Sequence, residues 1–216
     1  ANASAAPAAD VSFTQLTGGV VLARYAPTRS GAFQLLLRYG GALVTAAPLA
    51  VAVAPARPGG THSTAAGLGV VEATAGAPAT FTVTARDRFG NEMNAGGFTF
   101  VVLLSGPGAH VRGACTDRGT GAYDCSYLAT RALRASLAVT TGGVSIRGAP
   151  FQLWVRSADV SPARCVVVPG AFATAGRVSP VVIHARDRFA NQMDEGWSLF
   201  EATLTDALER SSAQAI

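Results

Sequence analysis

The sequence predicts an all-β chain built from antiparallel β-sandwiches in tandem. Three observations carry that expectation: a pattern repeating about every 100 residues, apolar alternation at the period of strands, and turn-forming clusters at roughly ten-residue spacing. The composition agrees. Of 216 residues 49% are apolar and 14% charged, which fits an ordered chain with a buried core rather than a disordered one.

The repeat is read first. Residues 25–53 lie over residues 127–155 at a shift of 102, with nine of 29 positions identical and no gap. "ARDRFGNEM" at 85–93 recurs as "ARDRFANQM" at 185–193, a shift of 100 with seven of nine positions identical. One two-residue gap in an intervening loop reconciles the shifts, so the unit is about 100 residues long. In that register residues 1–56 match the second half of a unit, 57–156 make one whole unit, and 157–216 match the first half of another. Half a sandwich leaves its apolar face uncovered. The expectation is therefore a segment of a longer array, the alternative being that the two end-halves complete each other.

The elements of the whole unit follow in order. "FTVTARD" (81–87), "FTFVVLL" (98–104), "AYDCSY" (122–127), "ASLAVTT" (135–141) and "FQLWV" (151–155) alternate or run apolar, rich in β-branched and aromatic residues. Gly, Pro, Asn and Asp clusters separate them, and no segment carries a sustained helical stripe. Short strands punctuated this way make an antiparallel sandwich of about 100 residues.

Several classes are excluded at this point. All seventeen basic residues are arginines, scattered without a basic block or aromatic interleaving, so nucleic acid is not expected as a partner. Arginine-only usage beside abundant Ala, Gly and Val fits a GC-rich coding sequence. Residues 1–10 have neither the basic start nor the apolar core of a secretory signal. The apolar stretch 41–56 is interrupted by Pro48 and too short to cross a bilayer as a helix, so no membrane insertion is expected.

Three stretches resemble the filamin-type immunoglobulin-like repeat. "GPGAHVRGACTDRGTGAYDCSY" (106–127) follows that family's glycine-proline step, short strand, aspartate-glycine turn and Tyr-x-apolar-x-Tyr strand. "IRGAPFQLWV" (146–155) resembles its closing strand, and "SPARCVVVPGAF" (161–172) resembles the start of a following repeat, with Cys165 ahead of a Pro-Gly turn. Arg118, where the family usually has Asn, and Cys125, where it usually has Val, depart from the animal members. The resemblance implies the filamin/ABP280 repeat fold in a multi-repeat protein of algal or protist type. The "D-x-x-G-N" turn also occurs in invasin-like surface repeats.

Chemistry is sparse. Asp87 and Asp187, with their flanking arginines, read as turn residues, with an ion or partner contact as the other reading; Phe89 is expected to tuck against the sandwich end. Neither aspartate stands in a recognisable acid–base constellation, so no catalytic residue is expected. Cys115 and Cys125 fall on the inward parity of neighbouring strands, as two buried free thiols or as a cross-strand disulfide. His62, His110 and His184 stand singly, so no metal is expected. No phosphate loop or nucleophile elbow occurs, and no cofactor or small-molecule ligand is expected. Trp154 alternates with Leu153 and Val155, faces outward and is a candidate inter-domain contact; Trp197 reads as core. Asn2 formally matches a glycosylation acceptor.

The expected function is a non-catalytic scaffold or spacer in a cytoplasmic, cytoskeletal or axonemal (ciliary) assembly, with protein partners that include neighbouring repeats. The alternative is an extracellular adhesion module at the cell surface, of gamete-surface type. The resemblance implies partner binding by strand addition beside strands C and D, here 98–104 and about 109–115. The candidates there are Phe98, Phe100, Val102 or their alternates, with Ala109, Val111 and Gly113; the competing reading is an edge closed by loops or by the next domain.

Overall fold

A computed structural model of the chain describes residues 11–168, 170, 173–194 and 200–205. Asn2 and Trp197 lie outside the described residues.

The first stretch holds three two-stranded antiparallel sheets. β1 (Val11–Gln15) pairs with β2 (Val21–Tyr25), β3 (Gly31–Leu35) encloses the short hairpin of β4 (Arg38–Tyr39) and β5 (Ala42–Leu43), and β6 (Leu49–Val53) returns to β3. Apolar residues here stay open to solvent: Phe13 is 63% exposed.

Residues 57–156 form the sandwich. Its strands are β7 (Thr64–Ala66), β8 (Glu72–Thr74), β9 (Pro78–Thr84), β10 (Phe100–Gly106), β11 (Ala109–Arg112), β12 (Ala114–Asp117), β13 (Ala122–Leu128), β14 (Leu133–Thr141), β15 (Val144–Ser145) and β16 (Phe151–Arg156). One sheet runs β11-β10-β14-β16-β8, with β15 added to β14, and the other runs β12-β13-β9-β7. Every pair is antiparallel except β16 with β8, where the entering strand lies parallel to the closing one.

Alternation decides the core. Phe81 and Val83 of β9 and Tyr123, Cys125 and Tyr127 of β13 point inward from one sheet. Phe100, Val102 and Leu104 of β10, Leu137 and Val139 of β14, and Leu153 and Val155 of β16 meet them from the other. The Phe100 and Tyr123 rings pack tilted, 4.8 Å between centroids. The Tyr127 hydroxyl donates to the Gly69 carbonyl at 2.6 Å, the one polar atom of that ring finding a partner inside the core.

The later stretch holds β17 (Val166–Val168), antiparallel to β18 (Val182–His184). The structural elements recur with the sequence. β3 starts at Gly31 and β14 at Leu133, β6 at Leu49 and β16 at Phe151, and β7 at Thr64 and β17 at Val166, each 102 residues apart. The pairing of Val167 with Ile183 repeats that of Ala65 with Val83. By compactness the chain divides into residues 1–156 and 157–216.

Candidate functional site

The duplicated motif builds a clamp on the backbone. Asp87 ends the run of β9 and is fully buried. Its Oδ1 accepts the N–H groups of Phe89 (2.8 Å) and Asn91 (2.9 Å), which closes the turn locally. Its Oδ2 accepts the Ala56 N–H at 2.9 Å and the Asn91 side-chain amide at 2.8 Å. Ala56 lies in the segment leading into the sandwich, so the carboxylate ties that segment to the turn. The Gly59 N–H adds a bond to the Arg86 carbonyl at 2.7 Å.

Asp187 makes the same bonds within residues 157–216. Phe189 (2.8 Å) and Asn191 (2.9 Å) donate to Oδ1, and Ala158 (2.9 Å) and the Asn191 amide (2.8 Å) donate to Oδ2. Ser161 N–H donates to the Arg186 carbonyl at 2.7 Å. The turn reading is thus correct but incomplete, because a local turn uses one oxygen and the leading segment uses the other.

Burial raises the pKa of both carboxyls, and the hydrogen bonds from Asn91 and the backbone, or from Asn191 and the backbone, outweigh it and hold each below its ordinary value. These groups stay charged without an acid-base partner.

Asn91 extends the clamp to the first stretch of the chain. Its amide donates to the Thr28 carbonyl at 2.8 Å, and its Oδ1 accepts the Ser30 N–H at 3.0 Å. Both Asn91 amide hydrogens and the carbonyl oxygen are therefore used. Behind the clamp sits Ser63, fully buried, donating to the Gly59 carbonyl and accepting the Arg86 N–H, each at 3.1 Å. Cys165 stands 102 residues later and points its thiol at the Ser161 carbonyl, 3.4 Å away. Sequence reasoning left Ser63 out; the offset that aligns it with Cys165 was its signal.

Phe89 is a correction. It is 45% exposed rather than tucked in, and the Arg88 guanidinium lies over its ring at 4.7 Å, as Arg188 lies over Phe189 at 4.8 Å. The turn carries the ring outward, and the neighbouring cation covers it.

Cys115 and Cys125 are directly opposed on β12 and β13, with Cα atoms 4.0 Å apart, and are joined as a disulfide in place of two free thiols. The bond ties the edge strand β12 to the sheet interior.

The C–D edge departs from the expected groove. Strand C is β10, and D is split between β11 and β12. Phe100 and Val102 are 7% and 1% exposed and Phe98 packs against the core, so these candidates face inward; Val101, at 47%, faces out. Val111 also packs against the core. The outer edge of Leu103–Gly106 is already paired with Ala109–Arg112, and Gly113 N–H donates to the Val102 carbonyl at 3.0 Å. Gly113 is the crossing point between sheets, where an added Cβ would meet the Ser126 carbonyl at 2.6 Å and Val102 at 2.7 Å. β11 thus covers the outer edge of β10 over Leu103–Gly106.

Trp154 faces outward, 41% exposed, beneath the Arg134 guanidinium at 5.0 Å from its ring centroid. A cleft of 480 Å³ over the opposite sheet is lined by Thr80, Thr82, Thr116, Asp124 and Ser126, and Arg118 holds its only carboxylate. Among the described residues no three His, Cys, Asp or Glu side chains are placed to share a metal ion, and no helix is long and apolar enough to cross a membrane.

Comparison with known proteins bears on this arrangement. The family model for the Filamin/ABP280 repeat matches residues 58–152. Filamin-C of Rattus norvegicus is 30% identical over 141 residues, which are 65% of this chain and 5% of that protein; the chain spans only a small part of its relative's length. The solved structure of the Escherichia coli adhesin FdeC superposes with a TM-score of 0.58 at 19% identity, covering 86% of this chain and 60% of that one. Invasin, a bacterial integrin-binding protein, gives 0.50 at 15% identity, covering 82% of this chain and 36% of its own. These two structural likenesses concern the fold.

Proposed function

We propose, from the premise that residues 58–152 are a Filamin/ABP280 repeat, that this chain is a non-catalytic scaffold or spacer segment of tandem immunoglobulin-like sandwiches. Its organisation on this reading is the second half of a repeat at 1–56, a whole repeat at 57–156 and the first half of another at 157–216. The observation that carries the reading is the clamp made twice, bond for bond, by Asp87 and Asp187. A spacer has to control the angle at which one sandwich follows another. A buried carboxylate that grips the incoming segment does this with about 1.5–3 kcal/mol per charge-assisted hydrogen bond. Protein partners in a cytoskeletal or axonemal assembly, neighbouring repeats among them, suit such a device.

The Cys115–Cys125 bond favours a second reading, an adhesion module at the cell surface, because disulfides persist in oxidising compartments.

Stretching single molecules of the full chain tests both. On the scaffold reading residues 57–156 give way in one cooperative step, at about 3.3–3.6 Å of extension per released residue. A disulfide hides the residues between Cys115 and Cys125, so reductant lengthens that step by about 30 Å. Gradual extension with no such step would remove the load-bearing sandwich. A step unchanged by reductant, in protein alkylated at isolation from its source, would remove the surface reading.

A further inference from the structure

With part of the strand-addition edge taken by β11, one open surface of the whole repeat is the outer face of the six-stranded sheet. Its makeup follows from the pairing register. Glu72, Trp154 and Arg134 stand in one row across β8, β16 and β14. Gln152, Ser136, Ser105 and His110 make the next, and Ala138, Leu103 and Arg112 the one after. All lie opposite in parity to the buried Leu104, Leu137, Leu153 and Val155, and therefore on the solvent side. Small residues (Ser105, Ser136, Ala138) occupy the middle of this face, with Trp154 and Arg134 in the row at one end and His110 and Arg112 on the edge strand β11.

The charge on this face is predominantly positive. Arg112, Arg134 and Arg156 lie on it against one carboxylate, Glu72, which stands 3.8 Å from Arg156. Among the described residues Arg112 and Arg134 enter no ion pair. The Arg134 guanidinium lies over the Trp154 ring, 5.0 Å from its centroid, a contact with the ring face that leaves guanidinium N–H groups for a carboxylate. The same cation stands over the indole face that a sugar ring would need, which disfavours a glycan as occupant.

We propose that this face docks an acidic segment of a partner protein, its carboxylates held by Arg134 and Arg112 and its backbone lying over the small residues Ser105, Ser136 and Ala138. Arg134 and Arg112 are exposed, so replacing them leaves the core untouched.

The test titrates the full chain with a fluorescein-labelled hexaglutamate peptide while the Trp154 indole N–H is followed by NMR. Saturable binding that shifts that resonance and weakens in high salt is the expected result, with Arg134→Glu and Arg112→Glu each lowering affinity about tenfold. A hexalysine peptide should not bind. Hexaglutamate binding that leaves the Trp154 resonance and both variants unaffected overturns the proposal. So does a heparin fragment that binds this face when hexaglutamate does not.

Discussion

At Asp87 two carboxylate oxygens divide four donors, and this division makes aspartate hard to replace. In Asp87→Asn one oxygen can still accept two N–H groups, but the new amide faces two donors from Ala56 and Asn91, or from Phe89 and Asn91. A loss of about 2–4 kcal/mol follows, to be read from chemical denaturation of the chain and its variant. The pH dependence has a definite sign. The folded carboxyl sits below its ordinary 3.8, so its contribution is complete above that pH and is lost as pH falls through the folded value. Asp87→Asn should accordingly show a shallower acid decline than the parent. Gly90 occupies the left-handed region at φ 88° with open space where a Cβ would sit, so Gly90→Ala should cost only the backbone term, about 1 kcal/mol. Ala190 already bears that conformation at φ 67° in the second copy. The sequence made the turn legible through Asp, Gly and Asn. It did not reveal the bond to Ala56, because a partner 31 residues away leaves no local pattern.

Among the elements, alternation made the core strands legible, and the same alternation left the facing of the C–D edge open. Phe98, Phe100 and Val102 share a parity, and parity alone does not say which side is core until a second sheet is in place. A strand over about 109–115 was expected, but its first residues pair with β10 and its later ones with β13, a split at Gly113 that no local pattern marks. Two element-scale outcomes follow. Tyr127→Phe strands the Gly69 carbonyl inside the core and should cost about 1–3 kcal/mol in thermal or chemical unfolding. Burial pushes the Tyr127 hydroxyl up to about 12, so the parent should lose stability as pH rises from about 10 toward 12, and the variant should lack that decline. Reduction of Cys115–Cys125, which closes a loop with a sequence separation of 10, should lower stability by about 3 kcal/mol on the chain-entropy account, measured with and without reductant.

For the whole molecule, the repeat register was legible because two copies of one motif stand 100 residues apart and the strands recur with them. What ties the first stretch to the whole repeat was not legible, since Asn91 meets Thr28 and Ser30 only after both segments have folded. On the proposed scaffold reading that contact matters, because a tandem scaffold depends on junctions that hold their angle. The most direct measurement is the distribution of distances between spin labels on β2 and β9, in the parent and in Asn91→Ala. The expected result is a narrow distribution in the parent that broadens in the variant while residues 57–156 stay folded. Equal widths in the two proteins would contradict it.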